Sequence, residues 1–328
     1  MNVRVLGGSG IEVSEIGYGC MGLTWAYGSA MSQPDERAGA DVLHAAADLG
    51  ITLFDTADMY GPFTNEELVG KALSARRSGL RIATKCGIVV EGDRAQYNLG
   101  RNGTPQHIRE ACDASLRRLR VEVIDVYQLH RVDPDVPVEE SVGAMADLVR
   151  AGKVRAIGLS EVDVATLERA ARVHPIATLQ SEYSLFERGI EAQILPWCLA
   201  HGVALLAYSP LGRGMLTGRL RRSDIGSDDF RATLPRYQQE TFDHNRRIVA
   251  RIEDVAARTG ANAGQIALAW LLAKAPNIVP IPGTTHVEHL QENVGAANVR
   301  LTQADVAELD ALPRPMGDRY PAPKASTP

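Results

Sequence analysis

Three ionisable side chains stand where three predicted strands end. Asp55, Lys85 and His130 each directly follow a short apolar run of the kind that forms a buried strand, and Tyr60 comes five residues after Asp55. If these strands are parallel neighbours, their carboxyl ends converge, and Lys85 and Asp55 form an ion pair. The ammonium would lower the pKa of a neighbouring phenol. A positioned phenol suits carbonyl reduction, in which hydride reaches carbon while the oxygen takes a proton.

The elements that must position these side chains alternate between short apolar runs and segments of helical periodicity. One such segment carries a stripe of mainly apolar residues at helical spacing, Ile108, Cys112, Ser115, Leu116 and Leu119. The candidate strands cover residues 16–18, 52–54, 81–84, 124–129, 155–159, 178–179, 203–207 and 278–280. Strand and helix in alternation predict an α/β protein with parallel pairing, either an open doubly wound sheet or a closed barrel. The strand count and chain length favour a single (β/α)8 TIM barrel over residues 1–312.

Three further segments lie outside this repeat. Residues 3–13 predict a β-hairpin that plugs the bottom of the barrel. Residues 212–241 separate the seventh strand from its helix and are long enough to form a lid. A further helix is predicted over residues 303–312, and the Pro-rich tail of residues 313–328 is expected to be extended and partly disordered.

Composition excludes several classes of protein. The net charge of −5, without a basic run, argues against a nucleic-acid partner. Four cysteines without a C-x-x-C pair predict reduced thiols, and the strand ends offer too few ligands for a metal site. The longest apolar run, residues 266–273, is far shorter than the ~20 residues that span a bilayer, and the amino terminus does not resemble a signal peptide. We therefore expect a cytoplasmic protein without membrane or metal.

The residues at the strand ends carry a family resemblance. Four of them resemble the catalytic tetrad of the aldo-keto reductases, namely Asp55, Tyr60, Lys85 and His130. Asp55 and Tyr60 lie in the motif FDTADMYG, which is followed by Asn65-Glu66, and His130 lies in the motif LHRVD. The motifs GKVRAIGLS, QSEYS, YSPLGRG and IPGT follow in the order seen in that family. The wording of residues 129–133, LHRVD, is similar to that of the bacterial and plant branch, which reduces aldehydes and includes relatives of the potassium-channel β subunits.

The resemblance implies a TIM-barrel enzyme that reduces aldehydes or ketones with NADPH by direct hydride transfer. In such an enzyme Tyr60 is the general acid, and Lys85 is paired with Asp55 and lowers the phenol's pKa. His130 orients the carbonyl group of a small-molecule substrate or shares in donating the proton. The alternative is a nucleotide-binding regulatory or redox-sensing subunit with slow turnover.

The resemblance also implies a cofactor site. Residues matching Ser160 and Gln180 bind the nicotinamide carboxamide, and the residue matching Tyr208 stacks on the ring. The pyrophosphate is assigned to Ser209, Leu211, Gly212, Arg213 and Gly214, and the adenosine with its 2′-phosphate to Gly283, Thr284, Thr285, His289, Glu292 and Asn293. Relatives usually carry Lys or Arg after the Gly-Thr pair, whereas this chain has Thr285, His286 and His289. Hydroxyls and neutral imidazoles hold a phosphate dianion more weakly than Arg does, so this departure makes NADH the alternative. The resemblance itself implies NADPH, which is the cofactor predicted.

One motif points elsewhere. Gly17, Gly19 and Gly22 match the G-x-G-x-x-G string of a Rossmann fold, but the residues after Gly22 do not have the pattern of a helix. In the barrel interpretation, these small residues let the nicotinamide approach the backbone. The same loop supplies candidates for an apolar substrate pocket, namely Met21, Trp25 and Tyr27. The sequence leaves the oligomeric state open.

Overall fold

The computed structural model describes residues 1–25, 33–91 and 98–321. Within these residues, eight parallel strands form one sheet in which neighbours in the chain are neighbours in space. The strands are β3 (Tyr18–Gly19), β4 (Leu53–Asp55), β5 (Arg81–Cys86), β8 (Ile124–Leu129), β9 (Val154–Ser160), β10 (Thr178–Glu182), β11 (Ala204–Tyr208) and β12 (Ile278–Pro280). Each predicted strand is confirmed, with ends shifted by up to three residues.

The sheet closes into a barrel because its first and last strands meet. The amide of Gly17 donates to the carbonyl of Pro280 at 2.9 Å, and that of Gly19 donates to Pro282 at 3.2 Å. A Cβ atom on Gly19 would lie 2.8 Å from the Ile281 carbonyl oxygen, and one on Gly283 would lie 2.6 Å from that of Gly19. Glycine at both positions is therefore explained by this seam. The residues that follow the last strand lie against Gly19, which gives this glycine a structural reason besides the expected approach of a nicotinamide.

The helices pack around the barrel with their apolar faces inward. They are α1 (Glu36–Asp48), α2 (Thr64–Leu73), α3 (Pro105–Leu119), α4 (Val138–Arg150), α5 (Val164–Val173), α6 (Ile194–Ala200), α7 (Gln239–Thr259), α8 (Ala263–Lys274), α9 (Val287–Gly295) and α10 (Gln303–Asp310). Local signals set their ends: Asp163 caps α5, and Thr302 with Asp305 forms a capping box at α10. In α3 the stripe of Ile108, Cys112, Ser115 and Leu119 is buried, as predicted.

The predicted hairpin plug is confirmed. Strands β1 (Val3–Val5) and β2 (Glu12–Ser14) pair antiparallel, and the hairpin buries Leu6, Ile11 and Val13 in the cluster that fills the barrel interior. A second hairpin, β6 (Ile88–Glu91) with β7 (Asn98–Arg101), follows β5 near the other end. The plug leaves the carboxyl ends of the strands as the open end of the barrel.

The two irregular segments are both attached to the barrel. The segment expected to form a lid, residues 212–241, contains short 3₁₀ turns and is shorter than expected, because α7 begins at Gln239. Residues 212–238 are called the lid segment below. The expectation of a loose tail is wrong for residues 313–321. The amide of Met316 donates to Asn245 Oδ1 at 2.8 Å, and Arg236 Nε donates to the carbonyl of Gly317 at 3.1 Å. Residues 322–328 lie outside the described residues. Among the helices that the structure describes, none has the length and apolar composition needed to cross a bilayer.

Candidate active site

An ion pair lies at the open end of the barrel, inside the wall. The ammonium of Lys85, on β5, lies 2.6 Å from Asp55 Oδ2 at the end of β4, and both side chains are buried. The same Nζ atom donates to the carbonyl of Thr56 at 2.8 Å and to the hydroxyl of Tyr60 at 3.2 Å. Three donor directions of one ammonium are thus occupied, so its position is fixed. The arrangement expected of Asp55, Lys85 and Tyr60 is the one observed.

His130 completes this group. It directly follows β8, is buried, and its ring meets the Tyr60 ring edge-on, with centroids 5.8 Å apart at 85°. Burial, together with the charges of Lys85 and Arg131, holds the pKa of His130 well below its usual value. The imidazole is therefore neutral at physiological pH. A neutral imidazole can orient a carbonyl oxygen through a hydrogen bond, but it does not supply a proton.

The acidity of Tyr60 differs from the expectation. Burial raises the pKa of the phenol, and the lowering by Lys85 offsets this only in part, because Asp55 opposes it. The net pKa is raised, so the predicted lowering is corrected: Tyr60 is protonated at neutral pH in this state. Burial alone would lower the pKa of Lys85, but Asp55 and Tyr60 outweigh it and raise that pKa. The site therefore pairs a phenol that carries its proton with a cation that can stabilise the phenolate.

The second carboxylate oxygen of Asp55 is held by two amides. Gln180 donates from Nε2 to Asp55 Oδ1 at 2.8 Å, and Gln128 donates to the same atom at 3.3 Å. Gln128 was missed in the sequence analysis. Gln128 is a polar residue within the apolar run of β8, and that is the signal that could have identified it. It lies on the inward face of the strand, together with Val126. These bonds complete the hydrogen bonding that a buried carboxylate needs.

Two residues of the resemblance motif have structural partners. Asn65 accepts from the Thr56 hydroxyl at 2.6 Å and donates to the carbonyl of Cys20 at 2.9 Å, which fixes the turn that carries Tyr60. Glu66 accepts from Thr84 Oγ1 at 2.6 Å and is paired with Arg118 at 2.7 Å. Both side chains are fully buried at the start of α2. They connect the turn after β4 to its neighbours rather than facing the open end.

Asp58, in the same turn, is a buried carboxyl group with an unusual pKa. Within the described residues its Oδ1 atom has no hydrogen-bond partner. Burial, reinforced by the charge of Glu66, raises the pKa of Asp58 to about 8, although Arg118 opposes the shift. Since this folded-state value lies above the unfolded one, the group stabilises the fold at low pH, and that stabilisation is lost as the pH rises towards 8.

We therefore expect the Asp58→Asn variant to gain stability relative to the wild type as the pH rises. The wild type loses up to about 1.4 kcal/mol per pH unit from this group between roughly pH 4 and 8. Urea unfolding of both proteins at pH 5, 7 and 9 measures the difference in their free energies of unfolding. A difference that stays constant with pH would contradict the raised pKa, since all other titrating groups are shared.

Apolar side chains surround the Tyr60 ring. Trp25 lies with its ring centroid 6.1 Å from that of Tyr60, and Met21 packs on the same small cluster. Ile88 and Val90, from β6, join it, and the sequence analysis did not single them out. Tyr27, the third predicted pocket residue, lies outside the described residues. The phenol hydroxyl is thus approached by an apolar wall suited to the carbon skeleton of a small molecule.

The next three strand ends bring together the residues expected at the nicotinamide. Ser160 ends β9 and pairs in register with Gln180 of β10, while Tyr208 ends β11. Ser160 Oγ accepts from Arg131 Nη1 at 2.9 Å. The backbone of Glu161, just after Ser160, is in the left-handed region at φ 54°. Such strain in a non-glycine residue is common at functional sites, and Glu161 was missed in the sequence analysis.

The turn after β11 has an uncommon backbone conformation. Four residues have positive φ, namely Ser209 at 48°, Gly212 at 52°, Arg213 at 50° and Gly214 at 98°. With Leu211 they form the segment expected to hold a pyrophosphate. The guanidinium of Arg213 points into the protein, is buried, and lies 2.9 Å from the carboxylate of Glu182. The turn therefore combines irregular backbone amides with a fixed cation next to it.

The segment expected at the adenosine lies after β12. The carbonyl of Thr284 accepts a hydrogen bond from the Tyr18 hydroxyl at 2.5 Å. The hydroxyl of Thr284 accepts one from the amide of His286 at 3.1 Å. The rings of His286 and His289 meet edge-on at 5.1 Å. Gly283 and His289 are exposed, Thr285 and Glu292 are half-buried, and Asn293 on α9 is buried. No Lys or Arg belongs to this segment, as the sequence shows.

An arginine of the lid segment contacts the segment expected at the adenosine. Arg219 forms a two-pronged ion pair with Glu292, with Nη2–Oε1 at 2.7 Å and Nη1–Oε2 at 2.9 Å. Arg219 was missed, because its partner is separated from it by the whole of α7, α8 and β12. Among the described residues, no group of three or more His, Cys, Asp or Glu side chains is placed to hold a metal ion.

Comparisons with known proteins identify the family of this chain. Residues 15–314 match the model of the aldo/keto reductase family. The chain is 44% identical over 310 residues to probable aldo-keto reductase 1 of Glycine max, covering 94% of this chain and 88% of the relative.

Solved structures give the same result. The glycerol dehydrogenase of Gluconobacter oxydans superposes with a TM-score of 0.86 at 32% identity, covering 99% of this chain and 98% of the other. An aldo-keto reductase of Klebsiella pneumoniae, solved in complex with NADPH, has a TM-score of 0.72 at 30% identity, covering 100% and 98%. The chain belongs to the aldo/keto reductase family of oxidoreductases.

Proposed function

We propose that this protein reduces aldehydes or ketones to alcohols, using NADPH and Tyr60 as the proton donor. One observation carries the proposal: a single buried ammonium, that of Lys85, is hydrogen-bonded to both Asp55 and the Tyr60 hydroxyl beside an apolar wall. A fixed cation next to a protonated phenol is what the developing charge on a carbonyl oxygen requires. Steady consumption of NADPH with a nitrobenzaldehyde or methylglyoxal tests it. Tight nucleotide binding with negligible turnover would instead favour the regulatory subunit.

The chain's own residues divide the work between position and proton transfer. The nicotinamide, when bound, supplies a hydride to the carbonyl carbon. Tyr60 gives its proton to the carbonyl oxygen, and Lys85 stabilises the resulting phenolate until it takes a proton from solvent. His130, neutral and adjacent, holds the carbonyl oxygen by a hydrogen bond. Asp55 keeps Lys85 charged and in place, and Met21 and Trp25 contact the apolar part of the substrate.

We assign the cofactor to the strand ends that follow. The hydroxyl and amide of Ser160 and Gln180 suit a carboxamide, and Gln180 can accept through Oε1 while its Nε2 atom donates to Asp55. The half-buried Tyr208 offers a ring for stacking. The proposed phosphate and adenosine ligands are Ser209, Leu211, Gly212, Arg213, Gly214, Gly283, Thr284, Thr285, His289, Glu292 and Asn293. Irregular backbone amides suit a pyrophosphate, which supports the first part of this set.

Arg219 supports the choice of NADPH. Its ion pair with Glu292 brings a guanidinium to the adenosine segment, which has no Lys or Arg of its own. A guanidinium holds a phosphate dianion more strongly than a hydroxyl or a neutral imidazole does. NADPH, with its 2′-phosphate, should therefore bind more tightly than NADH.

The Arg219→Met variant should lose much of that preference. We expect its Kd for NADPH to rise by about tenfold, the usual effect of one charge-assisted hydrogen bond, while its Kd for NADH changes little. Fluorescence titration with both nucleotides measures the two values. Arg221→Met is a matched control, since Arg221 is exposed two residues further along the lid. Equal losses for both nucleotides would contradict a contact with the 2′-phosphate.

A further inference from the structure

The tail places a single guanidinium across three strand ends. Arg319 Nη1 lies 2.8 Å from Glu161 Oε2, just after β9, and its Nε atom lies 2.6 Å from Glu182 Oε2 at the end of β10. Its Nη2 atom donates to the hydroxyl of Tyr208 at the end of β11. All three nitrogens of the guanidinium therefore contact the open end of the barrel. Only arginine presents donors in such a planar fork.

The contact with Tyr208 is made at the edge of its ring. The Cζ atom of Arg319 lies 5.7 Å from the ring centroid while Nη2 donates to the hydroxyl, so the cation lies beyond that hydroxyl. Since the hydroxyl oxygen lies on the rotation axis of the ring, a hydrogen bond to it fixes the outer end of the side chain and restricts its swing about χ1. This contact is compatible with a flat group stacked on the face of the ring. The ring is half-buried, so packing alone constrains it less than a core side chain.

The carboxylates that anchor Arg319 are themselves fixed. The other carboxylate oxygen of Glu161, Oε1, accepts a hydrogen bond from the backbone amide of Glu182 at 2.8 Å. The left-handed backbone of Glu161 directs its side chain towards that amide. Glu182 is buried and also pairs with Arg213, whose Nη2 lies 3.1 Å from the hydroxyl of Tyr320 in the tail. Burial alone would raise the pKa of Glu161, but Arg319 outweighs it and keeps the pKa lowered. The anchor therefore stays charged at neutral pH.

We propose that Arg319 is a positioning residue that holds the Tyr208 side chain in the place where its ring stacks on the nicotinamide. The inference rests on the proposed function, in which Tyr208 contacts that ring. A ring already held in its bound orientation loses less conformational freedom when the cofactor binds. It also keeps the hydride donor aligned with the substrate, where small displacements have large effects on rate.

The Arg319→Met and Tyr208→Phe variants test this by a double-mutant cycle. Each single change removes the hydrogen bond, so each should raise the Kd for NADPH by about tenfold and lower kcat. The double variant should be no weaker than either single one, because the two residues act through one contact. Arg314→Met is the control: it is exposed in the same tail and should bind NADPH like the wild type.

Further measurements separate the alternatives. Tyr208→Phe leaves every charge in place, so its affinity loss tests the proposal even if Arg319→Met fails to fold. Losses that multiply in the double variant would overturn the proposal, since Arg319 would then act apart from the Tyr208 hydroxyl. Tighter NADPH binding by Arg319→Met would also overturn it and would indicate a tail that obstructs the site. If the wild type reduces carbonyl compounds with NADPH and Arg319→Met has an unchanged Kd for NADPH and an unchanged kcat, this inference alone is overturned. A wild type that does not bind NADPH would overturn both it and the proposed function.

Discussion

Replacing Tyr60 with Phe is expected to lower kcat for carbonyl reduction by at least about a thousandfold, while the Kd for NADPH changes by less than about twofold. General acid catalysis contributes roughly 10²–10⁴-fold, and here no neighbour can substitute for the phenol. His130 is neutral, and the Lys85 ammonium is engaged by Asp55 and Thr56. The substitution removes one hydroxyl and keeps the ring, so the apolar wall around it is preserved.

A matched control distinguishes chemistry from packing. Tyr127, on β8, is also buried, and its hydroxyl donates to the carbonyl of Ile108 at 3.3 Å. It belongs to the large core cluster that includes side chains of the surrounding helices. Tyr127→Phe should cost about 1 kcal/mol of stability and leave kcat unchanged. Steady-state rates with saturating NADPH and an aromatic aldehyde, combined with fluorescence titration of NADPH, give both quantities. Near-normal turnover by Tyr60→Phe would remove Tyr60 from the role of acid.

Lys85→Met should damage both the chemistry and the fold. It removes the cation that stabilises the Tyr60 phenolate, so kcat should fall about as far as in Tyr60→Phe. It also leaves Asp55 as a buried carboxylate without its cation, which costs about 3–5 kcal/mol for a broken buried pair. Urea unfolding at pH 7 measures this loss.

The double variant Lys85→Met/Asp55→Asn separates these two effects. It removes both charges, so much of the lost stability should return, because a neutral amide tolerates burial better than an isolated carboxylate. Activity should remain lost, since no cation faces Tyr60. If the double variant regained turnover, Lys85 would have only a structural role. If Lys85→Met were as stable as the wild type, the buried pair would not contribute to folding as we expect.

The parts of this site that the sequence could predict are those set by local pattern. Asp55, Lys85 and His130 lie at strand ends that short apolar runs identify, and parallel strands bring such ends together. The barrel and its hairpin plug follow from the same alternation of strand and helix. Gln128 could have been found too, because a polar residue within a buried strand needs a partner.

Other features depend on distances that no local pattern encodes. Burial raises the pKa of Tyr60 and the charge of Lys85 lowers it, so the direction of the net shift depends on how deeply the phenol is buried. Arg219 and Arg319 find their partners across long stretches of chain. Proline content predicted a loose tail, but the contacts of Arg319 with Glu161 and Glu182 form only after the barrel exists.

The position of Arg319 in the chain has a consequence for biosynthesis. Translation delivers this residue after all eight barrel strands, so a nascent chain can build the barrel wall while the bridge over its three strand ends is still missing. During that interval Glu161 lacks the guanidinium that neutralises it, and Tyr208 lacks the donor at its hydroxyl. The open end of the barrel therefore reaches its final charge balance only once the tail that carries Arg319 has docked.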